Sequence, residues 1–323
     1  MNIGIIGCGL IGMKRAQNAG AHKVICAADV VRERAEKLAA AIPGCAVAAD
    51  GRDVLKRRDV DAVVVATTHD QLAPVAAAAL EAGKHVLVEK PGARNADELK
   101  PVLAAARKAG LTVRVGFNHR FHPSLLKCRE IIDSGVAGPL MFIRGRYGHG
   151  GRIGYEKEWR AVEAISGGGE AVDQGVHLVD LSRWFLGDFA SVEGYAPTFF
   201  WDMPVEDNAF MLLKTGAGQA AWLHASWSEW KNMFSLEIYG RTGKLQVDGL
   251  GGSYGMERLT YYQMLPQMGP PETKTWEFPG ADTSWAAEFR DFAGAVEGKQ
   301  GLGATLEDAM AALQIVSRVR KCR

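Results

Sequence analysis

Short apolar runs alternate with stretches of helical periodicity in the first third of the chain. The runs that predict strands are Asn2 to Ile6, Lys23 to Ala28, Asp61 to Ala66, His85 to Val88 and Thr112 to Val115. Runs such as DAVVVA are apolar at consecutive positions, as expected for a parallel sheet that is covered on both faces. The helical patterns span residues 32–42, 72–83 and 96–110, and the last two end at glycine, a common helix-stop residue. This alternation predicts an α/β domain of the doubly wound Rossmann type.

The period changes after Pro123. One helical segment, SLLKCREIIDSG, precedes strand-like segments that no longer alternate with helices, namely PLMFIRGRY, NAFMLLKT, GQAAWLHASW, FSLEIYG and GKLQVDG. The turn-like sequences KTGAG and GRTG between them indicate an antiparallel or mixed sheet. Helical patterns return at Ser284 to Val296 and Leu306 to Val319. We therefore expect two domains, residues 1–120 and 121–323, of which the second is α+β.

Composition excludes several classes of protein. The chain has 323 residues, 47% of them hydrophobic and 23% charged, with a net charge of +1, so neither nucleic acid nor an anionic membrane is an expected partner. The five cysteines are odd in number and widely spaced, which favours neither a zinc site nor a disulfide framework. The first residues carry no signal-peptide pattern, and their apolar run is too short to span a bilayer. We expect a cytoplasmic protein.

The opening segment contains a glycine motif that is typical of dinucleotide sites. In GCGLIG, residues Gly7, Gly9 and Gly12 have the spacing G-x-G-x-x-G. This spacing gives a tight turn, close backbone approach to a pyrophosphate and close helix packing, with N–H groups at the helix start. A plain turn between strand and helix would show the same letters. Its place after the first predicted strand, with an acid at the end of the second, favours a dinucleotide.

That acid, Asp29, bears on which dinucleotide binds. A carboxylate here can accept hydrogen bonds from both ribose hydroxyls, whereas a 2′-phosphate would meet a like charge. The sequence therefore favours NAD over NADP. Arg32 is close enough in sequence to receive the extra phosphate, which leaves NADP as the alternative, and a turn residue is the structural alternative for Asp29.

Three further segments follow in order along nearly the whole chain. They are AGKHVLVEKPGA, VGFNHRFHP and SGGGEAVDQGVHLVDL. Together with GCGLIG they resemble the Gfo/Idh/MocA family, the relatives of glucose-fructose oxidoreductase and inositol dehydrogenase. The resemblance implies an NAD(P)-binding Rossmann domain followed by an α+β domain with a large open, mostly antiparallel sheet that often mediates homo-oligomers. It also implies hydride transfer at a secondary alcohol of a sugar, cyclitol or nucleotide-sugar.

The resemblance maps catalytic roles onto Lys90, Asp173 and His177. Histidine has a solution pKa near 6.5 and suits transfer of a hydroxyl proton, as base in oxidation and acid in reduction. Asp173 lies four residues earlier, on the same face if the segment is helical, and is expected to hold the substrate or the imidazole. Lys90 is expected to stabilise an alkoxide and to contact the nicotinamide ribose. Taken singly, each residue has an ordinary structural alternative.

The expected cofactor contacts extend beyond the glycine motif. The cofactor-binding residues are predicted to be Gly7, Gly9, Leu10, Ile11, Gly12, Asp29, Thr67, Glu89 and Lys90. The segment ATTHDQ departs from the ATPN-like sequence usual in the family, so Thr67 is expected to contact the cofactor differently. A metal site is the alternative use of Asp173, His177 and Asp180, but no H-E-x-x-H or cysteine-rich spacing supports it, and we expect none.

The sequence pattern of the expected substrate-binding residues is less specific than that of the cofactor site. The segment RGRYGHGGRIGYEKEWR carries Arg144, Arg146, His149, Arg152, Lys157 and Arg160. It predicts either an anion clamp for a sugar acid or nucleotide-sugar, or a solvated loop. The predicted substrate contacts are Lys90, Asn118, Arg120, Arg152, Trp159, Arg160, Asp173 and His177.

An NAD-dependent dehydrogenase acting on a carbohydrate-like alcohol is thus the favoured function. One alternative is a redox-neutral member of the same family, in which transient oxidation of a sugar permits cleavage of a glycosidic bond. The other is a non-catalytic NAD sensor. An open apolar sheet face would need cover, which makes a homo-oligomer, a dimer or tetramer, the expected assembly.

Overall fold

Six strands form a parallel sheet in the N-terminal part of the chain. The computed structural model describes residues 1–321, so Cys322 lies outside the described residues. The strands are β1 (Asn2–Ile6), β2 (Lys23–Ala28), β3 (Ala46–Val47), β4 (Ala62–Val65), β5 (His85–Glu89) and β6 (Val113–Gly116). Their order is β3-β2-β1-β4-β5-β6, with every pairing parallel. This order is the doubly wound Rossmann topology, and the predicted fold class is confirmed.

Helices follow the strands of this sheet. They are α1 (Leu10–Gln17), α2 (Arg32–Ala41), α3 (Gly51–Lys56), α4 (His69–Glu81) and α5 (Ala96–Ala109). Helix α5 shows how the sequence sets its ends. The Asn95 side chain accepts hydrogen bonds from the amides of Asp97 and Glu98 at 3.0 and 3.2 Å, and Gly110 closes the helix with a φ of 65°.

An eight-stranded sheet follows. Its strands are β7 (Leu140–Gly148), β8 (Phe189–Tyr195), β9 (Asn208–Thr215), β10 (Ala220–Ser226), β11 (Met233–Gly240), β12 (Gly243–Asp248), β13 (Glu257–Gln263) and β14 (Glu272–Phe278). The order is β14-β13-β12-β11-β7-β10-β9-β8, antiparallel except for the parallel pair of β7 and β10. The large, mostly antiparallel sheet is therefore confirmed. Along β11, buried and half-buried residues alternate, as expected for a sheet with one covered face.

The remaining helices lie between and after these strands. They are α6 (Pro123–Asp133), α7 (Glu163–Ser166), α8 (Val176–Leu186), α9 (Ser284–Val296) and α10 (Leu306–Lys321). Short 3-10 turns occur at Asn118–Phe121, Tyr155–Lys157 and Trp159–Ala161, and a π-helical turn occupies Ala171–Gly175. Among residues 1–321, no helix is both long enough and apolar enough to cross a membrane.

The contacts divide the chain into two units that differ from the predicted domains. The first unit comprises residues 1–118, 164–167 and 285–311, and the second comprises residues 119–163, 168–284 and 312–321. The sequence assigned everything after residue 120 to the second domain. In the structure, Phe289 and Phe292 of α9 instead pack with Ile3, Ile5 and Leu87 in the core of the parallel sheet. An amphipathic helix fits any complementary apolar face, so its periodicity could not specify this packing.

Candidate active site

The glycine motif forms the turn that links β1 to α1. Gly7 has a φ of 94°, and a Cβ there would collide with the backbone of Ala66. A Cβ at Gly12 would collide with the carbonyl oxygen of Gly7. A Cβ at Gly9, by contrast, would meet no other described atom within 4 Å. Packing therefore explains Gly7 and Gly12, whereas the open space at Gly9 fits a ligand that approaches the backbone.

The start of α1 suits an anionic group. Gly9 is the N-cap residue, and no side chain among residues 1–321 caps the helix there. The first N–H groups of a helix lack partners within the helix, and the dipole favours negative charge at this end. Leu10 is 74% exposed, so this end of the helix faces open space. These features fit the pyrophosphate of a dinucleotide.

Asp29 lies beside the same turn. Its carboxylate accepts hydrogen bonds from the backbone N–H groups of Cys8 and Val31, at 2.6 and 2.8 Å. A carboxylate has about four acceptor positions, so two such bonds leave capacity for ribose hydroxyls. Arg32 pairs with Glu36 at 2.8 Å on the exposed face of α2. The preference for NAD over NADP stays a prediction.

Glu89, at the end of β5, belongs to a buried ion network. The Arg15 guanidinium donates to Glu89 and to Glu288, with N–O distances of 2.5 Å in both cases, and Arg15 is fully buried. Burial acts to lower the pKa of Arg15, but the two carboxylates raise it. Burial also raises the pKa of Glu288 to about 7. The network fixes the strand end that Lys90 follows.

The sequence does not single out Arg15 or Glu288. They lie 273 positions apart, and no local pattern marks an ion pair of such separation. The other first-unit residues predicted from sequence lie at strand ends. Thr67 follows β4 and is half-buried, and Asn118 is buried two positions after the end of β6. Their predicted contacts with cofactor and substrate remain predictions.

In the second unit, Asp173 and His177 are held on consecutive helical segments. Asp173 lies in the π-helical turn, and His177 lies in the first turn of α8, so the segment is helical as predicted but wider at Asp173. The preceding Gly169 lies so close to Glu206 that a Cβ would collide with that carbonyl. Gln174 donates to the Tyr254 hydroxyl at 2.8 Å. Such π-helical turns are frequent at functional sites.

His177 stacks on a second histidine. Its ring centroid lies 3.8 Å from that of His119, and the two planes are inclined by 23°. Both residues are buried, at 4% and 6% exposure. Tyr147 packs near both rings. It is edge-on to His177 with centroids 6.2 Å apart and tilted against His119 with centroids 5.2 Å apart. His119 lies in the GFNHRFHP segment between two predicted contacts, Asn118 and Arg120, but nothing in the sequence indicates that it stacks on His177.

Asp173 is paired with the loop that follows β7. Arg160 donates from Nε to Asp173 Oδ2 at 3.1 Å, and its guanidinium lies 4.6 Å from the Trp159 ring centroid. The structure therefore brings three of the predicted substrate residues together. Burial acts to lower the pKa of Arg160, but Asp173 and Tyr155 raise it.

The arginine-rich segment is not a single loop. Arg144 and Arg146 lie on β7, and Arg144 pairs with Glu237 at 2.8 Å. Arg152 is largely exposed and pairs with Glu158 at 2.6 Å. These carboxylates offset the positive charge that suggested an anion clamp. The binding of an anionic group stays a prediction.

Arg120 makes a buried bidentate ion pair. Its Nε and Nη2 donate to Asp180 at 2.8 and 2.6 Å. Arg120 thus has a structural partner, and its contact with substrate stays a prediction. Within residues 1–321, no group of three or more His, Cys, Asp or Glu side chains is placed to hold a metal ion.

Comparison with known sequences identifies the family. Residues 1–117 match the family described as "Oxidoreductase family, NAD-binding Rossmann fold", and residues 125–246 match the "GFO/IDH/MocA C-terminal domain". The chain belongs to the Gfo/Idh/MocA family. The resemblance predicted from the four sequence segments is therefore confirmed, and the first unit carries the family's NAD-binding Rossmann fold.

Relatives of established name share part of this sequence. Inositol 2-dehydrogenase 2 of Saccharopolyspora erythraea is 32% identical over 68% of this chain and 64% of its own length. Levoglucosan dehydrogenase of Pseudarthrobacter phenanthrenivorans is 28% identical over 52% of this chain and 44% of its own length. The chain thus spans less than two thirds of the length of these two relatives.

Solved structures share the fold over the whole chain. A levoglucosan dehydrogenase in complex with NADH and levoglucosan has a TM-score of 0.89 at 21% identity, covering 100% of this chain and 96% of the other. An oxidoreductase domain protein from Kribbella flavida has a TM-score of 0.86 at 25% identity, covering 98% and 95%.

Proposed function

We propose that this protein is an NAD-dependent dehydrogenase that acts on a secondary alcohol of a sugar or cyclitol. The observation that carries the proposal is the buried pair of Asp173 and His177, held in one π-to-α helical segment of a Gfo/Idh/MocA chain. A nucleotide-sugar is a less favoured substrate, since carboxylates pair with Arg152 and Arg160.

Each residue has a role that follows from its chemistry. NAD, when bound, supplies the hydride acceptor, and the Gly9 turn and Asp29 would hold it. A ring nitrogen of His177 takes the proton of the substrate hydroxyl in oxidation and returns it in reduction. The second oxygen of Asp173 accepts a hydrogen bond from the substrate while Arg160 holds the first. Lys90 is proposed to stabilise negative charge on the substrate oxygen.

The names of relatives support the substrate class. Two relatives are named for inositol and levoglucosan, which are both polyhydroxylated rings with secondary alcohols. The proposal extends only this chemistry to the present chain.

The test is the rate of NADH formation with NAD and a panel of cyclitols, free sugars, sugar acids and nucleotide-sugars. We expect a rise confined to one class, and we expect His177→Ala to lower kcat at least about a hundredfold, as loss of an acid-base group does. NADH affinity, measured by fluorescence titration, should stay within about twofold. His22→Ala, at a half-buried histidine in the first unit, is the matched control.

Two results would reject the proposal. Full turnover in His177→Ala would remove the acid-base assignment. Tight NAD binding without NADH formation on any substrate would reject net oxidation and favour the redox-neutral or sensor alternative, which product analysis of glycosides would separate.

A further inference from the structure

A continuous series of aromatic rings runs across the loops at one end of the eight-stranded sheet. Trp230 and Phe200 have ring centroids 4.9 Å apart, Phe200 and Trp201 are 5.2 Å apart, and Trp201 and Tyr155 are 5.6 Å apart. Exposure falls along the series, from 75% at Trp230 and 51% at Phe200 to 3% at Tyr155. We call these four residues the aromatic track. It begins in solvent and ends in the interior of the second unit.

The buried end of the track lies beside the candidate active site. Tyr155 opens the 3-10 turn that is followed at once by the turn carrying Arg160, and Arg160 bonds to Asp173. Burial and the nearby Asp173 carboxylate both raise the pKa of Tyr155, which agrees with this proximity. A ligand held at Asp173 is thus close to the inner ring of the track.

A buried carboxylate fixes the middle of the track. Asp207 is fully buried, and its oxygens accept hydrogen bonds from the backbone N–H groups of Phe199, Phe200 and Trp201 at 2.9, 2.7 and 2.9 Å. The Trp201 indole also donates to the carbonyl of Trp227 at 3.0 Å. A buried charge is costly unless such bonds satisfy it. This one holds a surface loop in place, and the loop displays apolar rings to solvent.

The outer ring stands on strained backbone. Trp230 has a φ of 58°, a left-handed conformation that bulky residues rarely adopt. Gly150 lies against its backbone, since a Cβ there would come within 3.1 Å of the Trp230 Cα. A strained residue with a large exposed side chain indicates a functional constraint.

We propose that the aromatic track binds a second sugar unit of a glycoside substrate. The inference rests on the proposed function and narrows its substrate class to glycosides of two or more units. A pyranose has C–H faces that pack on aromatic rings and a rim of hydroxyls that needs polar neighbours. The loops provide both, because exposed Arg152, Asp202 and Lys231 lie in the same segments as the rings. A free cyclitol is too short to use the outer rings.

The experiment compares two substrates that share one sugar unit. One is a disaccharide, and the other is the methyl glycoside of a single unit, in which a methyl group replaces the second sugar. Gluco-, galacto- and manno-configured pairs are used, with turnover followed by NADH absorbance and binding measured by calorimetry on the NADH-saturated protein. The variants are Phe200→Ala and Trp230→Ala. Trp222→Ala is the control, since Trp222 is 60% exposed but lies on β10 rather than on the track.

We expect the wild type to favour a disaccharide over the matched methyl glycoside. Each track variant should lower this preference, as a ratio of kcat/KM or of affinities, by roughly two- to tenfold, the usual effect of one ring contact. Trp222→Ala should keep the preference of the wild type.

Other outcomes overturn the inference. If a track variant lowered kcat/KM or affinity equally for a disaccharide and its matched methyl glycoside, or lowered neither, the track would not bind the second sugar. A shift in oligomeric state by light scattering without a change in preference would make the track a contact between copies of the chain. Binding of disaccharides without turnover would reject the dehydrogenase but retain the track, whereas absence of disaccharide binding would reject the track.

Discussion

At the scale of single residues, the stacked pair of His119 and His177 is the feature that most affects the proposed chemistry. Two imidazolium ions with centroids 3.8 Å apart would repel each other by about 4 kcal/mol at an effective dielectric constant near 20. Protonation of His119 therefore suppresses protonation of His177. Other titratable groups pack around the pair. The His122 ring centroid lies 5.5 Å from that of His119, and His122 itself pairs with Glu257 at 3.0 Å. Tyr147 packs near both rings, and Tyr254 packs on Tyr147.

Replacing His119 with Phe keeps an aromatic ring but removes the second proton site. We expect the acid limb of the kcat/KM profile to move to higher pH by up to about one unit, since His177 then protonates without competition. His119→Ala should instead lower kcat about tenfold, because the His177 ring loses its packing, and Phe should restore most of that loss. Initial rates between pH 5 and 9 provide the measurement.

An acid limb that stays in place in His119→Phe would show that His119 acts only by packing. NADH affinity should match the wild type in both variants. A large loss of NADH binding would point to misfolding rather than to the proton site.

Whether a feature of the site could be predicted from the sequence depends on how far apart the interacting residues lie along the chain. Gly7, Gly9 and Gly12 could be predicted because turn geometry is local. Arg160 and Asp173 lie 13 positions apart along the chain. The sequence could therefore indicate both residues as candidates but not their ion pair. Stacking of His119 on His177 depends on the packing of a 3-10 turn against α8, which no spacing rule reports.

At the scale of elements, the sequence predicted the buried strands best. The observed bounds of the strands β1, β2 and β9 are the predicted ones, because continuous or alternating apolar residues mark buried faces of a strand. The helix α9 also has its predicted bounds. The sequence missed β8 and β14, which are the two edges of the large sheet. Strand β14 is mostly exposed, and its polar residues protect the sheet edge from pairing with other chains. Because these residues are polar, the strand lacks the alternation of apolar residues by which a strand is predicted. Strand β13 and the short β3 and α3 were also missed.

Two substitutions at Trp230 distinguish the effect of backbone strain from the effect of losing the indole ring. Trp230→Ala and Trp230→Asn both remove the ring, but Asn adopts left-handed φ values more readily. We expect the Asn variant to be more stable than the Ala variant by about 1 kcal/mol, measured by urea unfolding. Both variants should lose the disaccharide preference to the same extent. Equal stabilities would contradict a strained backbone at this position.

At the scale of the whole molecule, the C-terminal part of the chain returns to complete the first unit. Residues 285–311 belong to that unit, and Glu288 of α9 meets Arg15 of α1 in its interior. The predicted boundary near residue 120 missed this return because a helix pattern does not state its destination. The Rossmann core therefore depends on residues at both ends of the sequence.

This closure makes stability depend on pH through Glu288. Its pKa is raised to about 7, above the ordinary 4.5, so between these values the folded state keeps a proton that the unfolded state has lost. The contribution of Glu288 to the free energy of unfolding is then fully present below about pH 4.5. It is lost as pH rises through about 7, and the loss is on the order of 3 kcal/mol. Burial is the main cause, and the Glu89 carboxylate adds to it while Arg15 opposes it.

Glu288→Gln should remove that decline, because the amide resembles the protonated acid and keeps a hydrogen-bond acceptor for Arg15. We expect the thermal unfolding midpoint of the variant to change less than that of the wild type between pH 5 and 7.5. Glu297→Gln, at an exposed residue just beyond α9, should follow the wild-type curve. If the variant instead loses stability equally at every pH, the ionised carboxylate is needed by Arg15 throughout, and Glu288 would hold the two ends of the chain together as a charge rather than as an acid.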